Sequence, residues 1–148
     1  MIISDKAKTQ TTAYAKDELI RYLTKMSGLH NLSKISLDLI DPEKDDKMSD
    51  DHYIIDITDG VGFIKGSNSR SVLLGVYAYL KHLGCRFLRP GENGEIVPKS
   101  DLLGECKIDQ TAFYPYRIEV MEGAINDDIV IETLKWLPKA GYNGYFIQ

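Results

Sequence analysis

The sequence has little cysteine and histidine and no long hydrophobic run, and each shortage excludes a class of protein. Two cysteines in 148 residues, Cys85 and Cys106, are too few for a disulfide-built scaffold, and their spacing matches no zinc or redox motif. The three histidines have no partner at metal-ligand spacing, so the sequence predicts no metal site, and no motif in it indicates a cofactor. No apolar stretch approaches the roughly 20 residues of a membrane helix, and the opening MIISDKAKTQ lacks the features of a signal peptide. The sequence therefore predicts no membrane partner and leaves the localisation open.

A strong charge of one sign is also missing. The chain has 22 acidic and 18 basic residues, a net charge of −4, and no basic stripe, so nucleic acid is not expected as a partner. A hydrophobic content of 43% with 27% charged residues is typical of a globular protein, and the length fits one domain or one domain plus a piece of another. The two cysteines are expected to be buried free thiols; the alternative is a disulfide, which would imply an oxidising compartment.

The first half of the chain predicts one helix and three strands. An apolar stripe at helical spacing runs through TTAYAKDELIRYLTKMSG, and KISLDLID alternates as a half-buried strand does. Asp59-Gly60, between two β-rich runs, predicts a hairpin with strands at about 53–58 and 61–66. The acidic run DPEKDDKMSDD lacks the glycine and glutamate of a calcium-binding loop at the required places, so it predicts a solvated loop.

The stretch SRSVLLGVYAYLKHLGCRFLRPGE, residues 69–92, predicts a helix that leads into a strand. Its apolar stripe ends at Gly84, which can supply a left-handed stop. Gly75 in the helix interior costs about 1 kcal/mol relative to alanine, so it indicates close packing of this helix on the sheet. The following CRFL is expected to add a strand to the same sheet, and Pro90-Gly91 is expected to turn the chain back.

The last part of the chain predicts a strand, a helix and a second strand. YRIEVME and YFIQ are short extended runs, and NDDIVIETLKWLPKAG between them has a capping residue and acids in its first turn. Ile129, Leu134 and Leu137 are expected on the buried side of this helix, and Pro138 is expected to end or kink it. Such a βαβ unit cannot bury both faces of its strands alone, which favours the start of a truncated (β/α)8 barrel, a fold of about 250 residues.

These elements predict the α/β (α+β) fold class and two domains. Residues 1–112 are expected to form a two-layer sandwich of a mixed β-sheet with two main helices. Residues 113–148 are expected to be a βαβ fragment of a TIM-type barrel.

A combined motif in the first domain indicates a family. A strand ending in I-x-G leads to R-x-x-L-x-G-x-Y-x-x-L-x-x-x-G, an aromatic strand, a P-G turn and E-x-x-P. The residues that match are Ile64, Gly66, Arg70, Leu73, Gly75, Tyr77, Leu80, Gly84, Phe87, Pro90, Gly91, Glu95 and Pro98. The first helix matches E-L-x-x-Y-L-x-x-x-[ST]-G with Glu18, Leu19, Tyr22, Leu23, Ser27 and Gly28. This pattern resembles the N-terminal non-catalytic α/β domain of glycoside hydrolases, notably α-glucuronidases and family 20 β-N-acetylhexosaminidases.

The resemblance also extends to the first strands of the barrel, and it implies one substrate-binding residue. In family 20 an arginine of the first barrel strand contacts the sugar, and the matching position is Arg117. The chain has EVMEGAIND where family 20 has D-x-x-R, which favours a less studied relative. An ion pair of Arg117 with a neighbour such as Glu119 or Glu122 is the alternative. Neither acid is expected to be catalytic, since residues three apart on a strand face opposite sides.

Five further residues are expected to have structural roles. Arg70 is expected to anchor the start of its helix by pairing with an acid such as Asp59, and a ligand contact is the alternative. The other four are Gly75, Gly84, Pro90 and Gly91.

The resemblance implies a supporting rather than a chemical function. The chain is expected to be the accessory domain of a carbohydrate-active glycoside hydrolase, to hold the catalytic barrel in cis, and to be inactive by itself. Its partners would be that barrel and the carbohydrate substrate of the parent enzyme. The alternative is a stand-alone carbohydrate-binding or protein-interaction module.

Overall fold

The computed structural model describes residues 1–27, 33–45, 50–101, 104–123 and 126–147; Gly28, the last residue of the first motif, lies outside these ranges. The helices in the described ranges are α1 (Gln10–Ser27), α2 (Ser69–His82) and α3 (Asp127–Ala140). The strands are β1 (Ile2–Asp5), β2 (Lys34–Leu39), β3 (His52–Thr58), β4 (Val61–Gly66), β5 (Arg86–Phe87), β6 (Glu95–Ile96), β7 (Glu105–Thr111), β8 (Ile118–Met121) and β9 (Gly144–Ile147). No described helix is both long and apolar enough to cross a membrane.

Five strands form one mixed sheet in the order β1-β2-β4-β3-β7. β1, β2 and β4 run parallel, whereas β3 is antiparallel to both of its neighbours, β4 and β7. The predicted hairpin is confirmed: Asp59 (φ 49°) and Gly60 (φ 74°) join β3 to β4 in the left-handed conformation that this turn requires. The mixed α/β class predicted from the sequence is confirmed.

Helices α1 and α2 cover one face of the sheet, because alternate strand residues on that face are apolar. The core of this layer includes Leu19, Leu23, Ile35, Leu37, Ile55, Ile57, Ile64, Val76 and Leu80. The opposite face carries more polar side chains, among them Asp38, Asp56 and Lys107. Both Cys85 and Cys106 are buried free thiols, as predicted.

Gly75 lies where α2 crosses the sheet most closely. A Cβ atom at this position would meet Ile64 Cγ2 at 2.8 Å and Tyr53 Cβ at 3.3 Å. The close packing that the sequence indicated is therefore present, and it explains why a residue with poor helix propensity stands in the helix interior.

Replacing Gly75 with alanine is expected to lower the free energy of unfolding by about 1–3 kcal/mol, because the added methyl group overpacks a closed interface. Alanine is the better helix former by about 1 kcal/mol, so a purely local effect would have the opposite sign. Urea unfolding measures the difference. Ala13→Gly, at an exposed position of α1, is the matched control for propensity alone. A Gly75→Ala variant that is more stable than the wild type would contradict close packing.

The strand predicted from CRFL does not join the main sheet. β5 pairs with β6, within the described residues, as a separate two-stranded ribbon. The reason is the side chain of Phe87, which lies in the helix layer and packs edge-on against Tyr22 (5.3 Å between ring centroids) and Tyr77 (5.7 Å). The sheet edge beside β3 is instead taken by β7.

The last elements form the predicted βαβ unit, since β8 and β9 pair in parallel and α3 connects them. Pro138 does not end α3. The helix continues to Ala140 and is followed by Gly141 in the left-handed conformation (φ 97°). Of the three residues expected to be buried, only Leu137 is; Ile129 and Leu134 are 46% and 44% exposed. α3 contacts α2 and β5, and it is Thr133 and Lys139 that join Leu137 in the interior.

Candidate functional site

Arg117 immediately precedes β8. It lies at the junction between the βαβ unit and the sandwich, by which we mean the five-stranded sheet with α1, α2 and the β5–β6 ribbon. Its Nη2 donates to Asp51 Oδ2 at 2.6 Å, its Nη1 to the carbonyl of Tyr114 at 2.6 Å, and its Nε to the carbonyl of Gly141 at 2.7 Å. The ion pair that the sequence placed with Glu119 or Glu122 is therefore made with Asp51. The sugar-binding role implied by the resemblance stays a prediction.

Asp51 is the buried centre of a cluster that we call the Asp51 cluster: Asp51, Arg70, Ser71, Arg117 and Asn143. The Asp51 side chain is 1% exposed. Oδ1 accepts from Arg70 Nε (2.8 Å) and Ser71 Oγ (3.1 Å), and Oδ2 accepts from Arg117 and from Asn143 Nδ2 (2.9 Å). Burial alone would raise the pKa of Asp51, but the hydrogen bonds from Arg117, Asn143 and Arg70 outweigh it and hold the pKa below its ordinary value.

The strand order explains why Arg70 pairs with Asp51 and not with Asp59, as the sequence had suggested. β3 and β4 are antiparallel, so the end of β4 at Gly66 lies beside the start of β3 at Tyr53. α2 begins just after β4 and therefore presents Arg70 to Asp51. Asp59 stands at the far end of β3, in the hairpin turn, where its carboxylate accepts from the N–H of Gly104 (2.9 Å).

Asn143 also joins the βαβ unit to the Asp51 carboxylate. Its Oδ1 accepts from the N–H of Arg117 (2.8 Å), and its own N–H donates to the carbonyl of Arg117 (2.9 Å). Its Nδ2 donates to Asp51 and also to the carbonyl of Pro115 (2.6 Å). The starts of β8 and β9 are thus fixed to each other and to the sandwich through one carboxylate.

A second buried cluster, the Lys139 cluster, holds α3 on the sandwich: Lys139, Glu95, Tyr22 and Glu18. Lys139 Nζ donates to Glu95 Oε1 (2.7 Å) and to Tyr22 Oη (2.8 Å), and it lies 3.7 Å from Glu18 Oε2. The side chains of Lys139, Glu95 and Glu18 are each 7% exposed. Burial would raise the pKa of Glu95, but the hydrogen bonds from Lys139 and Tyr22 overcome it and lower that pKa. Beside this cluster, Trp136 Nε1 donates to the carbonyl of Phe87 (3.0 Å).

Stability is expected to fall as the pH drops below about 5. The pKa values of Asp51 and Glu95 are lowered in the folded chain, so the unfolded state binds protons that the folded state does not. The contribution of each carboxylate is complete above its unfolded pKa of about 4 and is lost as the pH falls through its folded pKa. Urea midpoints between pH 3 and 7 measure this slope. The Asp51→Asn variant should show a shallower slope below pH 5; an unchanged slope would show that Asp51 has no lowered pKa.

The remaining predicted residues lie at turns or apart from the two clusters. Gly84 (φ 100°) ends α2, and Gly91 (φ 81°) follows Pro90 in the turn before β6; both adopt a conformation that favours glycine. Glu119, in β8, is partly exposed, and Glu122, just after it, is exposed. Within the described ranges, no group of three histidine, cysteine, aspartate or glutamate side chains could hold a metal ion.

A cleft of about 800 Å³ opens between the sandwich and the βαβ unit. Asp51 and Arg117 line it, together with the C-terminal half of α2, the inner face of β7 and the end of α3. Its apolar walls include Leu74, Ala78, Phe87, Ile108, Ala112 and Pro138.

The sequence reasoning missed Asp51, Asn143, Lys139 and Glu95 as the residues that join the two parts. For Asp51 a signal existed: the hairpin at Asp59-Gly60 implies that the residue preceding β3 lies beside the start of the helix that follows β4. For Lys139 no such signal existed, since a lysine near a helix C-terminus is ordinarily solvated.

No protein-family model matches this chain, and no curated protein matches it either.

Proposed function

We propose that this chain is the non-catalytic N-terminal accessory domain of a carbohydrate-active glycoside hydrolase, joined to the first βαβ unit of its catalytic barrel. Residues 1–112 are the accessory domain and residues 113–148 begin the barrel. The motif resemblance to the domain that precedes the barrel in α-glucuronidases and family 20 β-N-acetylhexosaminidases supports this assignment. The function of the accessory domain is to support the barrel and fix the position of its first strand.

The observation that carries the proposal is the exposed apolar surface of the βαβ unit. Ile118, Val120 and Phe146 are 50%, 55% and 53% exposed, although they belong to the paired strands β8 and β9. On α3, Ile129, Ile131 and Leu134 are also 44–47% exposed. Inward strand side chains fill the interior of a (β/α)8 barrel, and its helices pack against neighbouring helices. Further strands and helices would therefore bury this surface, and a parallel strand–helix–strand order is the one that such a barrel repeats.

The Asp51 and Lys139 clusters explain how the accessory domain would perform its supporting function. The Asp51 cluster fixes the starts of β8 and β9, and the Lys139 cluster fixes the end of α3. Hydrogen bonds between ionised groups favour a narrow range of geometries, so these clusters specify orientation as well as attachment. The first unit of the barrel is thus held at three points before any later unit packs on it.

Arg117 fits this supporting function because of its place on the strand. Active sites of (β/α)8 enzymes lie at the carboxyl ends of the barrel strands, whereas Arg117 precedes the amino end of β8. Three of its five N–H groups are used in the junction. The catalytic acids of the parent would come from later strands.

An activity assay with two proteins tests the proposal. The 148-residue chain is expected to show no turnover of aryl glycosides, while the complete product of the source gene is expected to hydrolyse at least one of them. Circular dichroism and a cooperative thermal transition establish that the 148-residue chain is folded in the assay. Turnover by the 148-residue chain would contradict the proposal. The alternative is a stand-alone carbohydrate-binding module. It would be favoured if calorimetry showed that the 148-residue chain binds oligosaccharides and if the gene product had no barrel.

A further inference from the structure

The cleft between the sandwich and the βαβ unit arises because α1 and α2 leave the edge strand β7 uncovered. α2 packs along β3 and β4, and β7 lies one strand further out, at the sheet edge. Ile108 and Gln110 of β7 pair in register with Ile55 and Tyr53 and therefore point to the same face as the core. They line the cleft, as do Leu74 and Ala78 from α2 and Pro138 from α3. The cleft is thus an extension of the hydrophobic core that the described helices leave open.

The chemistry of the lining restricts what can occupy the cleft. Most of its surface is apolar, and several of its polar side chains are already bonded to protein groups: Asp51 to Arg117, Tyr53 to Gln110, and His82 to the carbonyl of Glu105. Few partners are left for the hydroxyl groups of a sugar, and burying those groups unpaired is costly. An extended peptide would likewise leave backbone N–H and C=O groups against apolar side chains. A helix satisfies its backbone hydrogen bonds internally and needs to offer only an apolar face. The lining therefore favours a helix.

Two cations at the rim of the cleft indicate which charge a helix docked there would carry. Lys81 and Arg86 both line the cleft, and no described carboxylate forms an ion pair with either of them. Arg86 Nη1 donates only to the carbonyls of Lys81 (2.9 Å) and Cys85 (2.7 Å). Burial and the charge of Arg86 lower the pKa of Lys81, so the two cations oppose each other. A carboxylate placed between them would remove that repulsion.

The wall of the cleft also indicates where such a helix comes from. The end of α3 and residues 112–114, which lead to β8, form one side of it. Phe113 and Tyr114 there are 87% and 64% exposed. Since α3 would be a helix of the outer ring of the barrel, a neighbouring helix of that ring would lie beside this wall.

Resting on the proposed function, we infer that the cleft is the docking site of one further helix of the same protein's barrel, an amphipathic helix that places an acidic side chain between Lys81 and Arg86. The accessory domain then contacts the barrel at two separate points along the chain. The clusters of Asp51 and Lys139 hold its first unit, and the cleft holds a later helix, so that the sandwich bridges parts of the barrel that are distant in sequence.

Lysine acylation compares the complete gene product with the 148-residue chain. Both are treated with limiting N-hydroxysuccinimidyl acetate, and the rate at each lysine is read by mass spectrometry. Lys81 is expected to react at least about tenfold more slowly in the complete product, as for a site that must open before it reacts. Lys6, exposed after β1 at the opposite edge of the sheet, is the control and should react equally in both. Carbodiimide coupling should then link Lys81 to an aspartate or glutamate beyond residue 148.

A charge reversal gives an independent readout. Lys81→Glu is expected to lower the melting temperature of the complete product but not that of the 148-residue chain, where the new carboxylate lies beside the cation Arg86. Lys6→Glu should change neither. Suppose that the gene product contains a barrel and hydrolyses glycosides, but that Lys81 is acylated at the same rate in both proteins. This result would overturn the docking site and leave the proposed function standing. A gene product without a barrel would overturn both.

Discussion

Replacing Asp51 with asparagine is expected to lower the free energy of unfolding by about 3 kcal/mol. The change removes the only described carboxylate that pairs with Arg117, leaving its guanidinium at the junction without its counter-charge. Breaking a buried ion pair costs about 3–5 kcal/mol, and the lower figure applies because the Arg70 and Arg117 side chains remain 30% and 22% exposed. Urea unfolding at pH 7 measures the loss.

The control for this prediction is Asp109→Asn, which removes a carboxylate that pairs with His52 at the surface. The Asp109 side chain is 74% exposed, so its loss should cost at most about 1 kcal/mol. Hydrogen exchange adds a spatial readout: Asp51→Asn should speed exchange in β8, β9 and α3 more than in β1 and β2, because the cluster fixes the βαβ unit. Equal losses of stability in the two variants would show that Asp51 does not hold the junction.

Replacing Lys139 with methionine is expected to be at least as costly, about 3–5 kcal/mol. The variant retains the hydrocarbon volume of the side chain but leaves Glu95 and Glu18 buried together without a cation at hydrogen-bonding distance from Glu95. Thermal and urea unfolding measure the change. Lys135→Met, an exposed position one turn earlier in α3, is the control and should change stability by less than about 0.5 kcal/mol.

A double-mutant cycle separates the ion pair from the packing of α3. Glu95→Gln combined with Lys139→Met should cost less than the sum of the single changes, by at least about 1 kcal/mol, because the second change removes the charge that the first one stranded. Additive losses would indicate that the charge of Lys139 is not energetically coupled to the Glu95 carboxylate.

Local sequence patterns predicted the helices and most of the strands, but they did not predict how the sandwich packs on the βαβ unit. Asp59-Gly60 requires a tight turn, and the stripes of α1 and α2 require a sheet to pack on, so these features depend only on neighbours in sequence. Phe87 could not be placed in the same way. Its alternating context is equally consistent with a strand of the main sheet and with the helix layer, where Tyr22 and Tyr77 receive it.

The junction could be predicted least, since its residues are far apart in sequence. Asp51 stands in a run of acids that composition alone makes a solvated loop, and only the register of β3 against β4 singles it out. On α3 the apolar residues Ile129 and Leu134 gave the wrong buried side, whereas Lys139, a charged residue, is in the interior. Hydrophobic periodicity predicts burial only for apolar side chains. A lysine is buried only where carboxylates pair with it, and the carboxylates here, Glu95 and Glu18, are distant in sequence.

The crystal structure of the complete gene product would show whether β8 and β9 belong to a barrel. We expect them to be neighbouring strands of a closed eight-stranded parallel barrel, with Ile118, Val120 and Phe146 buried and Asp51 still bonded to Arg117. A structure in which the free edges of β8 and β9 stay unpaired and those three side chains stay exposed to solvent would contradict this expectation.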